Sequence, residues 1–251
     1  MAKAGIRDQD LWDRSLQVAK GIKRASSRSF ALCDIAKAIA KTGQKEKAVS
    51  IFDQAIQIAK GIEGVSSRSL VLCYIAKAIA KAGLFDQSLQ AAKSIEDTSL
   101  RLSTLRDIAE AMAKSGLFDQ SLQVAKSIEK DSFRSSALCY IAKAMAESGL
   151  FDQSLQVAKS ISDPYDRSLA LRGIAEAMAE ARLFDRAFQV AKGIEEDFFR
   201  LSALHNIAEA MARAGLFEQA FEVAQDIEKP IHRLQALATL VAEMKRAGTV
   251  K

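Results

Sequence analysis

Apolar residues recur along this chain every three or four positions, in two alternating kinds of stretch. One kind runs through Ala137, Leu138, Ile141, Ala142 and Met145; the other runs through Leu150, Phe151, Leu155, Ala158 and Ile161. Both spacings put the apolar side chains on one stripe of an α-helix and leave the remaining surface polar. A glycine stands between the two: Gly83, Gly116, Gly149, Gly215 and Gly248 fall on a 33-residue period, with Arg182 in the one vacant place. Gly5 and Gly43 continue the series upstream at spacings of 38 and 40. A glycine after a helical stripe marks a stop where the backbone turns left-handed. Arg182 at such a place is expected to be strained by about 1 kcal/mol.

A second marker keeps the same phase: Arg68, Arg101, Arg134, Arg167, Arg200 and Arg233, with Arg28 forty residues before Arg68. Gly116–Ile128 and Gly149–Ile161 are the same thirteen residues, GLFDQSLQVAKSI. Self-similarity at this period is the signature of stacked helix pairs, each leaning on the next. The pattern predicts one all-α solenoid domain over 1–251, with about seven helix-turn-helix units beginning near 5, 43, 83, 116, 149, 182 and 215. Asp163-Pro164 reads as an N-cap followed by a first-turn proline, and Pro230 plays the same part in the last unit. The second unit carries seven additional residues before Lys60 and predicts a lengthened helix over Lys45–Ile62. Trp12, the only tryptophan, lies in the first unit's extra stretch and is read as a cap over the open end. Met1–Gly5 matches Met112–Gly116, so the chain is expected to open on the tail of a helix. Both ends then present bare repeat faces: either the chain is a segment of a longer array, or its ends meet another molecule, as in end-to-end self-assembly.

Composition narrows the class. Ala, Lys, Glu, Leu, Gln and Ser dominate and only 2 Pro and 12 Gly occur in 251 residues, which favours helix. No apolar run reaches the roughly 18 residues of a membrane span. Three well-separated cysteines, Cys33, Cys73 and Cys139, make no CxxC motif and point to a reducing, cytoplasmic setting. The net charge of +5 is uneven: residues 1–81 hold 15 Lys+Arg against 7 Asp+Glu, the remainder 21 against 24. A basic first third suits an acidic partner.

Chemistry is sparse. The two histidines, His205 and His232, are 27 residues apart, and HExxH, P-loop, GxGxxG and GxSxG motifs are lacking. Zinc needs closely spaced ligands and catalysis needs a perturbed acid, base or nucleophile in a pocket. A protein without enzymatic activity, cofactor or metal is expected.

Around Gly149, the apolar Leu138 and Ile141, the small Ala142, Phe151 and the small Ser154 resemble the signature of tetratricopeptide repeats. Phe85, Phe118, Phe184 and Phe217 match Phe151, and Ala48, Ala187 and Ala220 match Ser154. Leu replaces the family's Trp-like residue, Met145 or Ile39 its aromatic before the turn, and Ala158 and Ile161 stand in reversed order of size. The resemblance spans essentially the whole chain. It implies a right-handed superhelix whose concave groove binds proteins or peptides. The segment Lys81–Asp86 is also similar to the turn of pentatricopeptide repeats, which implies the alternative of single-stranded RNA binding, one base per unit.

Positions that keep the fold should look alike in every unit. Leu32, Leu72, Leu105, Leu138, Leu171, Leu204 and Leu237 do so and are assigned to the core. Variable positions beside that stripe would line the groove the resemblance implies, and Tyr and Arg are the favoured anchors of interfaces. The candidate partner-binding residues are therefore Lys37, Tyr74, Lys77, Arg106, Tyr140, Lys143 and Arg172, basic near the first units and acidic at Glu176 and Glu209. The repeated Arg is read as pairing with the acidic end of the preceding helix, at Glu96, Asp97, Asp163 or Glu195.

Overall fold

A computed structural model describes residues 8–248. Gly5 and the helix tail expected over Met1–Gly5 lie outside the described residues. Among the described residues there are fourteen helices and no strand. Seven are long, each of 17 residues: α2 (Ala25–Lys41), α4 (Val65–Lys81), α6 (Thr98–Lys114), α8 (Asp131–Glu147), α10 (Pro164–Glu180), α12 (Asp197–Arg213) and α14 (Pro230–Arg246). They alternate with α1 (Asp8–Lys20), α3 (Lys45–Lys60), α5 (Phe85–Lys93), α7 (Phe118–Lys126), α9 (Phe151–Lys159), α11 (Phe184–Lys192) and α13 (Phe217–Gln225). The five from α5 to α13 have only nine residues, about 14 Å against about 26 Å for a long helix. The lengthened helix of the second unit is α3, 16 residues long, and it stops at Lys60 just before the buried Ile62. These alternating long and short helices are the helix-turn-helix pairs that the sequence pattern predicts.

The chain falls into two compact units, 1–133 and 134–251, with the boundary in the first turn of α8. In unit 1, α2, α4 and α6 stand side by side and each packs on the short helix that follows it. In unit 2, α10, α12 and α14 adjoin in the same way, with α11 and α13 packed against them.

The turn from long to short helix explains the glycine period. Gly83, Gly116, Gly149 and Gly215 have φ between 75° and 80°. Each ends its helix in a Schellman pattern: the N–H of the following leucine reaches back five residues, as Leu117 to the Met112 carbonyl at 3.0 Å and Leu150 to Met145 at 2.9 Å. That leucine is at once the N-cap of the short helix. Arg182 takes the same conformation at φ 61°, the one positive-φ residue other than glycine among those described. At the other end of α10, Asp163 accepts from the Asp166 N–H at 2.9 Å with Pro164 in the first turn.

The core is built from the expected stripes. Ala137, Leu138, Ile141, Ala142 and Met145 are all buried. On and beside α9, Ala158 and Ile161 are buried, whereas Leu150, Phe151 and Leu155 are only half-covered. The leucine row splits too. Leu32, Leu72, Leu138 and Leu204 are buried, but Leu105, Leu171 and Leu237 remain half-exposed. The assignment of this row to the core therefore holds for four of the seven leucines. Trp12 is half-buried on α1, with its indole N–H enclosed and without a hydrogen-bond acceptor.

The left-handed arginine generates a prediction. Arg182→Gly should raise stability by about 0.5–1 kcal/mol, read as a higher denaturation midpoint, and Gly215→Arg should lower it by a similar amount.

Candidate functional site

The expected anchors of unit 1 lie where α2, α4 and α6 adjoin. Asp34 on α2 is the hub of the first cluster: Lys37 Nζ donates to its Oδ1 at 3.1 Å, and the Tyr74 hydroxyl of α4 donates to the same oxygen at 2.7 Å. The Lys37 ammonium stands 5.6 Å from the Tyr74 ring centroid, and Phe30 meets that ring edge-on at 4.9 Å. The hydrogen bond to Asp34 is the main reason that both Lys37 and Tyr74 hold their protons more tightly than usual. Tyr74 nevertheless keeps 38% of its surface exposed. The second cluster is centred on Asp107 of α6, which pairs with Lys77 at 2.7 Å and with Arg106 at 2.6 Å. Burial works to lower the Lys77 ammonium, but the hydrogen bond and charge of Asp107 outweigh it and the net shift is upward.

The basic character expected from Lys37 and Lys77 is thus largely answered by Asp34 and Asp107. The unanswered charge sits one turn further on, at Lys41 and Lys81, both exposed. Two shallow troughs open beside them. One, of about 240 Å³ between α2 and α4, is lined by Lys37, Ala40, Lys41, Ala78, Lys81 and Ala82. The other, of about 360 Å³ between α4 and α6, is lined by Lys77, Ala80, Lys81, Asp107, Glu110 and Lys114 among others. Alanine floors leave room above the backbone, and the lysine rims supply donors for carboxylates. Lys41 and Lys81 escaped the sequence reading although they follow Lys37 and Lys77 by four residues, the spacing that shares a helix face.

Unit 2 carries Tyr140, Lys143 and Arg172. Tyr140 is 40% exposed on α8. The Lys143 stem lies across Gly173, so close that a Cβ there would stand 2.9 Å from Lys143 Cγ and Cε. Arg172 is occupied within the fold: its guanidinium covers the Phe199 ring at 5.4 Å and its Nε is 3.5 Å from Glu176, which also accepts from Asn206 at 2.7 Å.

The repeated arginine does something other than expected. It donates to the isoleucine carbonyl six residues earlier, where the short helix ends: Arg28 to Ile22, Arg68 to Ile62 and Arg167 to Ile161 at 2.8 Å each, Arg101 to Ile95 at 3.0 Å, and Arg200 to Ile194 at 3.1 Å. For Arg68 and Arg167 the acidic partner comes from the next connection rather than the preceding one, Glu96 at 2.7 Å and Glu195 at 2.9 Å, whereas Arg200 pairs with Asp197 of its own helix. One guanidinium therefore ties two successive connections together.

The cysteines are buried and free. Burial pushes the Cys33 and Cys139 thiols up to about 12, with the nearby Asp34 and Asp166 charges adding to it. The Cys73 sulfur accepts from the Thr104 hydroxyl at 3.2 Å. Among the described residues no three His, Cys, Asp or Glu side chains converge as a metal site, and no helix is long and apolar enough to cross a membrane.

No family model matches the chain, and no curated protein matches its sequence. Solved structures resemble it in outline. A protein of Thermococcus onnurineus NA1 matches over 92% of this chain and 84% of its own, with a TM-score of 0.41 at 18% identity. The nearly identical TPR-like repeats of a Podosopora anserina protein assigned as a kinesin light chain match over 90% of this chain and 99% of theirs, with a TM-score of 0.36 at 16% identity. A signal-transduction ATPase of Pyrococcus horikoshii with a tetratricopeptide repeat sensor matches over 96% of this chain but 42% of its own, with a TM-score of 0.42 at 11% identity.

Thiolate is the form that reacts with alkylating agents. With thiols at about 12, Cys33 and Cys139 should alkylate far more slowly at pH 8 in the native chain than in urea, by mass spectrometry. The same raised values set a sign for stability. Unfolding frees each thiol to ionise near its ordinary 9.0, so stability should fall as pH rises from about 9 towards 12.

Proposed function

We propose that this protein is a non-enzymatic interaction scaffold, and that unit 1 takes an acidic peptide along the shared face of α2, α4 and α6. The observation that carries the reading is the pair of lysine-rimmed, alanine-floored troughs meeting at Lys81, next to the exposed ring of Tyr74. Lys37 and Lys77 are held in place by Asp34 and Asp107, which presents their stems as fixed walls. Lys41 and Lys81 supply the charge that meets carboxylates of the partner, and Tyr74 and Arg106 flank them. In unit 2, Tyr140 and Lys143 present a second, smaller set, while Arg172 is engaged by Phe199 and Glu176. A cytoplasmic setting fits free, buried cysteines.

Selection from a random dodecapeptide library on the immobilised chain tests this. Peptides with consecutive Asp or Glu should be enriched, and Lys41→Glu/Lys81→Glu and Tyr74→Ala should each lower capture by about tenfold. Equal capture by the variants, or retention of mixed single-stranded RNA in place of peptides, would overturn the reading.

A further inference from the structure

The grooves between successive short helices are not alike. Within each unit, most are bridged by a side-chain pair: Lys47 to Asp13 at 3.3 Å across α1 and α3, and Gln87 to Asp53 at 2.6 Å across α3 and α5. Arg186 reaches Asp152 across α9 and α11, and Lys192 reaches Asp226 at 3.1 Å across α11 and the end of α13. Between α5 and α7 no ion pair or side-chain hydrogen bond crosses among the described residues. The groove there has a volume of about 660 Å³, with Leu89, Leu105, Met112 and Val124 along it and Lys93 at its rim.

The chain contains its own model of a filled version. Three repeats later, the corresponding groove between α11 and α13 has a volume of about 390 Å³. In it Phe188 stands where unit 1 has Leu89, and Asp226 where unit 1 has Ser127. Lys192, the counterpart of Lys93, lies 5.1 Å from the Phe188 ring centroid while it pairs with Asp226. The floor leucine, Leu204, is 2% exposed there, whereas its counterpart Leu105 is half-open. Unit 1 therefore keeps the lysine and lacks both the ring and the carboxylate that it engages in unit 2.

We propose that the α5–α7 groove is a docking site for a partner polypeptide that presents an aromatic side chain beside a carboxylate. The ring would lie over Leu89 and Leu105, and the carboxylate would pair with Lys93. This site is separate from the lysine-rimmed troughs: it is lined by the short helices and by Arg101, Leu105 and Met112 of α6, not by Asp107, Glu110 or Lys114.

The variant Leu89→Phe/Ser127→Asp transplants the unit 2 filling and leaves the troughs untouched. Methyl NMR spectra of the full chain are titrated with acetyl-Phe-Asp-Gly amide. Saturable shifts are expected at Leu89, Leu105, Met112 and Val124. Half-saturation should be at least about tenfold weaker for acetyl-Ala-Asp-Gly amide and for the transplanted variant, whose melting temperature should stay near that of the parent. Lys93→Met should erase the preference for the Asp peptide over its Asn analogue. Absence of saturable shifts at those methyls, or equal binding by the transplanted variant, overturns the proposal. Shifts centred instead on the alanine methyls of the troughs, Ala40, Ala78 and Ala80, would overturn it while supporting the acidic-peptide reading of the troughs.

Discussion

The structure depends on the contact of small residues between each long helix and the short helix after it. Ala36, Ala76, Ala109, Ala142, Ala175 and Ala208 are buried on the long helices. Ala48, Ser88, Ser121, Ser154, Ala187 and Ala220 are fully buried at the matching place on the short ones. Where the short helix has serine, its hydroxyl donates to the alanine carbonyl twelve residues earlier: Ser88 to Ala76 at 2.7 Å, Ser121 to Ala109 and Ser154 to Ala142 at 2.6 Å. A buried hydroxyl is thereby satisfied at no cost in separation, and alanine fills the same space without needing a partner. Any larger side chain would force the helices apart, because packed interiors have no spare volume.

Close pairing has a second effect, on what is left uncovered. Nine-residue helices held tightly against seventeen-residue ones leave parts of the long helices open on both sides. On the side of the short helices the openings become grooves, closed where residues 34 apart reach each other and open where they do not. On the other side the long helices meet one another directly, and alanines such as Ala40, Ala78 and Ala80 keep the surface low between lysine stems. Both kinds of opening follow from one packing rule, and the side chains at their rims decide what each admits.

Much of the fold was legible because turns and stripes are local. The glycine period located every long-to-short turn among the described residues, and Arg182 took the left-handed backbone its position demanded. The extra residues before Lys60 became two more turns of α3. What lay beyond the sequence was which neighbour a long side chain reaches. Lys37 and Lys77 read as free cations until the structure set Asp34 and Asp107 against them. The repeated arginine carried a clear signal of importance, but its direction of reach depends on the spacing between connections, which no single unit encodes. Leu105 and Leu204 stand in similar local patterns, LRDIAEAMA and LHNIAEAMA, yet differ in cover; their surroundings differ at Leu89 against Phe188 and Ser127 against Asp226.

The identity of Gly116–Ile128 with Gly149–Ile161 has a consequence for how such a chain changes over generations. Near-duplicate coding stretches invite unequal crossing-over, which adds or removes whole 33-residue blocks. Because most blocks share a small-residue seat, a left-handed stop and an arginine in the same phase, a block added or removed within one unit would meet neighbours of the same kind. Selection can then act on array length separately from side-chain identity, gaining or discarding grooves as discrete modules.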